Sequence, residues 1–355
     1  MDAILLVGGQ GTRLRPLTIS APKPMLPTAG VPFVAHQLAR ARAAGIDHVV
    51  LATSYRAETF EEYFGDGADI GLELEYVTET EPLGTGGGIR NVADRLRSDH
   101  VVVFNGDVLD DHDIAGQVAR HDAVGAAVTL YLTRVADPRS FGCVLIDPDE
   151  RVLEFREKDP EPTTDLINAG CYVFRREVLL SAIPYGQVVS VERQTFPSLL
   201  ASGARVQAYV DEAYWLDLGT PAAFVRGSCD LVLGRIASPA LPGPTGEFLA
   251  LAGVSVDPSA SITGGTTLGA DVSVAAGAHV VESVVFDGAS IGAGAVIVRS
   301  VLGRGAIVGA GTVLEDVVVG DGARIGSANE LRAGARVFPG AVLSDGAVRF
   351  SSDRS

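Results

Sequence analysis

Directly after the apolar run Ala3–Val7 the chain reads GGQGTRLRPLTISAPKPM over residues 8–25. Gly8, Gly9 and Gly11 leave the backbone free to turn at positive φ, so its N–H groups can close around an anion with no Cβ in the way. Arg13, Arg15 and Lys23 supply cations, and Pro16, Pro22, Pro24 and Pro27 fix φ on both sides of Lys23, so the loop is long but stiff. A stiff cationic loop suits a polyphosphate. GG-x-G after a strand is, taken alone, more often a plain turn. No Gly-Lys-Ser/Thr ending makes it a P-loop, and Leu14 stands where a dinucleotide fingerprint needs its third small residue.

Of the 44 acidic residues most are solvated surface, and Asp111 or Asp113 reads as the N-cap of a helix running through Arg120. Asp107 differs by position. Only Asn105 and Gly106 separate it from the apolar strand Val101–Phe104, where a hard oxygen ligand for Mg²⁺ would face bound phosphates. Asp217, just ahead of a helix start, reads as readily as a cap. All but two of the 28 basic residues are arginine, and the exceptions, Lys23 and Lys158, are expected to tolerate arginine poorly because an ammonium approaches a crowded phosphate end-on.

The elements that position these residues alternate. Helical spacing over Pro32–Gly45, Ala57–Phe64 and Gly84–Leu96 is interleaved with strands at Asp47–Ala52, Leu72–Val77 and Val101–Phe104. That order implies a doubly wound, mainly parallel α/β sheet, with ligands beyond the carboxyl ends of its strands. Strands then dominate from Ala126 to Tyr209, before a helix that runs to Gly234.

A formal charge of −16 excludes nucleic acid and anionic membrane as partners, and 47% apolar residues over 355 positions suffice for about two packed domains. No apolar run approaches the roughly 20 residues of a membrane span, and the start lacks signal-peptide features, so a cytoplasmic location is expected. Cys143, Cys171 and Cys229 are odd in number and widely spaced, as buried small hydrophobes rather than disulfides or zinc ligands.

GGQGTRLRPLT with PKPM resembles the signature of the sugar-1-phosphate nucleotidylyltransferases. FNGDVL (104–109), Glu157-Lys158, INAGCYVF (167–174), SVERQTFP (190–197) and YWLDLGTP (214–221) extend the resemblance to the guanylyltransferases that act on mannose 1-phosphate. The resemblance implies a Rossmann-like nucleotidyltransferase fold and a catalytic set of Arg13, Lys23, Asp107 and Asp217, with the two aspartates holding Mg²⁺. It implies nucleotide contacts from Leu6, Gly8, Gly9, Gly11, Thr12, Arg13, Lys23, Gly84, Thr85, Gly86, Asn105 and Asp107, the Gly84–Gly88 stretch facing base and ribose. Sugar-phosphate contacts fall to Gly142, Glu157, Lys158, Asn168 and Asp217.

The last third has another pattern. Val256, Ile262, Leu268, Val274 and Val280 recur every six residues, the register slips by one at Val285, Leu302 and Val319, and the series continues to Leu343. Hexads of this kind build a solenoid with three faces per coil, and a slip once per coil falls at the same corner. The pattern resembles the left-handed parallel β-helix of hexapeptide-repeat proteins. The expected domains are a catalytic part at 1–235, a linker at 236–253, the β-helix at 254–345 and a tail at 346–355. An open β-helix end favours homo-oligomers. The repeats are expected to serve assembly, so that a chain ending near Arg235 keeps activity.

The leading functional expectation is GTP plus mannose 1-phosphate giving GDP-mannose and pyrophosphate by direct in-line attack, without a side-chain nucleophile. The alternatives are UTP, dTTP or ATP with a glucose-type phosphate, and a silent nucleotide-sugar-sensing subunit. Acyl transfer by the β-helix finds only His279 as a base after residue 121.

Overall fold

The run ahead of the glycine loop is a central strand because it is apolar on both faces. In the computed structural model, which describes residues 1–54 and 56–349, β1 (Asp2–Leu6) lies between β2 (His48–Thr53) and β4 (His100–Asn105). All three run parallel, with Leu6 in register with both Ala52 and Asn105. β3 (Glu73–Thr78) extends the sheet beyond β2, also parallel. The remaining strands are β5 (Val128–Arg134), β6 (Gly142–Ile146), β7 (Val152–Glu157), β8 (Leu166–Arg175) and β9 (Val206–Val210).

Their order is β7-β6-β8-β4-β1-β2-β3, with β5 also on β8 and β9 on β5. The sheet is therefore parallel through its nucleotide-binding half, as expected, and turns antiparallel where β8 pairs with β4, β5 and β6. β8 changes partner from β6 to β4 at an irregularity between Asn168 and Tyr172, where Gly170 takes φ 86°. Helices α1 (Phe33–Ala43), α2 (Gly84–Val92), α3 (Ile114–Val124) and α4 (Pro221–Val232) fall at the expected places. Asp113 caps α3 by accepting from Gly116 N at 2.9 Å. Thr220, not Asp217, caps α4, accepting from Ala223 N at 3.2 Å. The capping role that the position of Asp217 suggested thus falls to Thr220.

From Phe248 onward the hexads form three stacked parallel sheets, as a left-handed β-helix requires. The first face runs through Phe248–Ala250, Thr266–Leu268, Val284–Val285, Val301–Leu302, Val318–Val319 and Arg336–Val337. The second runs from Ser255–Val256 to Val342–Leu343, and the third from Ser261–Thr263 to Glu330–Leu331. Inward residues, Leu268, Val285, Leu302 and Val319 among them, make the core. The one-residue slips fall at one corner, where Glu282, Arg299 and Asp316 take φ of 46°, 45° and 56°. Buried hydroxyls satisfy that corner: Ser283 Oγ accepts from Ser300 N at 3.1 Å and Ser300 Oγ accepts from Val317 N at 3.0 Å.

Two compact units result: Met1–Gly9 with Gln37–Trp215, and Gln10–His36 with Leu216 onward. The cationic loop thus packs with the β-helix unit. Leu14, Leu17, Ala21 and Leu26 share one buried cluster with Phe224, Val225 and Cys229 of α4 and with Val284, Phe286, Val301 and Val318. A chain ending near Arg235 would lose one wall of that cluster. The three cysteines are free and buried. Among the described residues no helix is long and apolar enough to cross a membrane. The expected tail lies outside the described residues from Phe350 onward.

Candidate active site

In the loop-bearing unit the site is built from Gly11, Thr12, Arg13, Lys23 and Asp217. Gly11 takes φ 55° and caps the 3₁₀ turn Thr12–Leu14. A Cβ there would lie 3.0 Å from both Lys23 Cβ and Thr18 Cγ2, and Thr18 Oγ1 donates to Gly11 O at 2.9 Å. The loop is thereby folded back upon Lys23. Lys23 Nζ stands 3.9 Å from Asp217 Oδ1, and Arg13 Nη2 stands 4.0 Å from Asp217 Oδ2. The Lys23 side chain is 11% exposed and Arg13 64%, so one cation is held and the other reaches out. At these separations the Asp217 carboxylate is attracted by both cations without a direct hydrogen bond to either. Gly219 makes room: a Cβ on it would press on the Arg13 guanidinium and lie 2.8 Å from Asp217 Oδ1.

In the sheet unit, Gly8 and Gly9 emerge exposed from β1, and Gly9 N donates to Ser54 Oγ at 3.3 Å. Asn105, Gly106 and Asp107 follow β4. Gly106 is buried, its N–H bonded to Leu6 O at 2.9 Å, and a Cβ would collide with that carbonyl. Gln37 Nε2 donates to Asn105 O at 2.8 Å and Val108 O at 3.1 Å, clasping the turn that carries Asp107 from both sides. Asn105 Oδ1 is a buried acceptor with no hydrogen-bond partner among the described residues.

Gly142 pairs with Glu157 across β6 and β7, and its missing Cβ leaves space beside the Phe155 ring and Glu157 Oε2. Burial, and next the like charge of Glu192, push the Glu157 carboxyl above the ordinary carboxylate range despite the opposing pull of Lys158. Lys158 itself is exposed, at φ 55°, with its N–H on Phe141 O at 2.9 Å. Asn168 Nδ2 donates to the Tyr172 hydroxyl at 2.9 Å.

The glycine-rich stretch, read from the sequence as facing base and ribose, is packed closely against a neighbouring backbone. It is the first turn of α2 rather than an open loop, with Gly86, Gly87 and Gly88 buried. The amides of Gly86 and Gly87 donate to Val189 O at 2.8 and 3.2 Å, and a Cβ on Gly87 would come within 2.5 Å of Gln187 O. The glycines allow this close approach of two backbones, and the Thr85 hydroxyl is engaged by Glu192 at 2.7 Å. Gly84 is the exposed member of the run.

Residues 2–232 match the family model described as nucleotidyl transferase, and residues 245–349 match the GMPPB C-terminal domain. The chain belongs to the nucleotidyl transferase family. It is 58% identical over 354 residues to the mannose-1-phosphate guanylyltransferase of Mycobacterium tuberculosis, covering 99% of this chain and 98% of that one. It is 38% identical to the mannose-1-phosphate guanylyltransferase catalytic subunit beta of Drosophila pseudoobscura pseudoobscura, over 73% of this chain and 70% of the other. Crystal structures of HddC from Yersinia pseudotuberculosis, one complexed with GMP-PN, are 26% identical with a TM-score of 0.55, covering 64% of this chain and 97% of theirs.

Beside the predicted residues this nucleotidyl transferase also places Gln37, Ser54, Gly219 and Glu192, which sequence reasoning passed over. Gln37 sits mid-helix and Ser54 follows an ordinary strand, so neither carries a local signal. Gly219 and Glu192 lie inside the motifs YWLDLGTP and SVERQTFP, and motif membership was the available sign.

Proposed function

We infer that this enzyme transfers the guanylyl group of GTP to mannose 1-phosphate. A phosphate oxygen of mannose 1-phosphate attacks the α-phosphorus, forming a new P–O bond. The bond from the α-phosphorus to the bridging oxygen breaks, and pyrophosphate leaves with the electron pair. No side chain needs to become covalently attached, so the work of the protein is positioning and charge stabilisation. The observation that carries this reading is the convergence of Arg13 and Lys23 on Asp217, two cations and a carboxylate within 3.9–4.0 Å. The choice of GTP and mannose 1-phosphate is supported by the guanylyltransferase relative that matches 99% of this chain.

In this reading Arg13 and Lys23 neutralise the charge that develops on the departing pyrophosphate. Leu6, Gly8, Gly9, Gly11, Thr12, Gly84, Thr85 and Asn105 surround the nucleoside end, where the open acceptor at Asn105 Oδ1 suits a hydroxyl or N–H of the ligand. Gly142, Glu157, Lys158 and Asn168 hold the sugar phosphate, Glu157 accepting from sugar hydroxyls and Lys158 facing the phosphate. Asp107 and Asp217 would hold a divalent cation, Mg²⁺ by its preference for hard carboxylate and phosphate oxygens. The donor set fits, since Asp217 is not consumed as a helix cap and Asp107 ends a turn fixed by Gln37 and Gly106. Such an ion supplies Lewis-acid stabilisation of the phosphoryl oxygens. We further propose a cytoplasmic homo-oligomer.

Phosphorus NMR of the protein with GTP, mannose 1-phosphate and Mg²⁺ tests the reaction. GDP-mannose and pyrophosphate should appear together in equal amounts. GDP with inorganic phosphate, or no turnover, would overturn it.

A further inference from the structure

One face of the β-helix is unlike the other two. Along the first face the outward positions, in register, are Thr267, Val284, Val301, Val318 and Arg336. The three valines are at most 3% exposed. Along the second face the same column reads Ser255, Ser273, Ser290, Ile307, Arg324 and Val342, of which Ile307 is 38% and Val342 71% exposed. The valine column is dry because Leu14, Leu17, Ala21 and Leu26 of the cationic loop and Phe224 and Val225 of α4 cover it.

Polar pins fix the loop along that face. Asp287 and Asp321 occupy the same corner two coils apart, where one carboxylate oxygen of each accepts the backbone N–H of Ala270 or Arg304, at 2.9 and 2.8 Å. Asp321 uses its second oxygen as well, to accept from the Ser20 hydroxyl at 2.6 Å, 301 residues away in sequence. One coil further on, where the valine column gives way to arginine, Arg336 Nη1 donates to the Arg15 carbonyl. Leu14, Arg15, Leu17, Ser20 and Ala21 all lie between Arg13 and Lys23. The β-helix therefore grips the segment that joins the two cations.

We propose that Asp321 and Arg336 are positioning residues for the nucleotide: the first face of the β-helix sets where Arg13 and Lys23 stand. The proposal rests on the reading of those two cations as phosphate contacts. It makes the β-helix part of nucleotide handling in addition to any role in assembly. The effect should be one-sided, because Glu157, Lys158 and Asn168 belong to the other compact unit.

The test uses the full chain carrying Ser20→Ala, Asp321→Asn or Arg336→Met. Asparagine at 321 keeps an acceptor for Arg304 N, so the corner is spared, and methionine at 336 keeps the aliphatic stem. The KM for GTP should rise about three- to tenfold in Ser20→Ala and Arg336→Met, the range set by one lost hydrogen bond. The KM for mannose 1-phosphate and the melting temperature should stay at parent values, and Arg336→Lys should recover part of the loss. Ser20→Ala and Asp321→Asn combined should cost no more than the larger single change. Parent KM for GTP in both Ser20→Ala and Arg336→Met, or an equal rise for both substrates, overturns the proposal. Lys23→Ala separates the two levels of the argument. If it raises the KM for GTP while the β-helix variants do nothing, positioning alone fails; if it too is silent, the phosphate-contact reading fails with it.

Discussion

Asp107 and Lys23 reach their places by opposite means. Asp107 follows a strand whose register with β1 is set residue by residue, from Asp2 with Val101 to Leu6 with Asn105, and Gln37 clasps the turn beyond it. Lys23 sits in a stretch of short helical turns with no sheet beneath its own chain, and it is fixed by what that stretch is laid upon. A regular sheet carries its own coordinates for a functional residue, whereas an irregular loop must borrow them. Here the lender is the β-helix.

The largest expected effect breaks the comparison at its weaker side. Removing the coils beyond Arg235 returns Leu14, Leu17, Leu26 and Phe224 to water at about 1.5–3 kcal/mol each, which together rival the whole stability of a domain, about 5–15 kcal/mol. Such a chain should aggregate or lose its cooperative melt, and a soluble, active truncation by light scattering and turnover would contradict the shared cluster.

Next in size is Asp217→Asn, which removes charge without changing packing. Its kcat should fall by about two or more orders of magnitude with an unchanged melting curve. Lys23→Arg should cost about tenfold or more in kcat/KM, because the side chain is nearly enclosed and a guanidinium is wider. Lys158→Arg, which the sequence alone puts on a par with Lys23→Arg, should instead cost about threefold at most, since Lys158 is exposed and can absorb that width. Equal penalties would erase the contrast between the held and the free cation.

The smallest effect concerns Glu157. Its carboxyl is held above the ordinary range by burial and by Glu192, and the proposed acceptance from sugar hydroxyls calls for the ionised form. Activity toward mannose 1-phosphate should therefore fall as pH drops through this raised value. Glu192→Gln removes a like charge, favours the ionised form, lowers the Glu157 pKa and should move the acid limb of kcat/KM to lower pH. An unmoved limb would detach Glu157 from sugar binding.

Much of this was legible in the sequence for physical reasons. Strict hexads with single slips at Val285, Leu302 and Val319 dictate stacked coils and the shared corner that Glu282, Arg299 and Asp316 occupy. Apolar runs bounded by glycine dictate the parallel strands, and the place of Asp107 just after β4 is as expected. The loop's attachment was harder to read, although a sign existed: Val284-Val285, Val301-Leu302 and Val318-Val319 are paired aliphatics where a solvent-facing strand would alternate, as Ser273-Val274 and Ser290-Ile291 do. That excess of outward valine says that something covers the face, but only the fold tells that residues 10–36 are the cover. The packing of the Gly84–Gly88 stretch was not legible either, because glycine that admits a ligand and glycine that admits a neighbouring backbone look alike in sequence.

The most direct test of the assigned reaction is the matrix of kcat/KM for pyrophosphate release with GTP, ATP, UTP and dTTP against mannose, glucose, galactose and N-acetylglucosamine 1-phosphates. GTP with mannose 1-phosphate should exceed every other pair by about tenfold or more, the discrimination that a few well-placed hydrogen bonds supply. A higher value for any other pair would contradict the assignment.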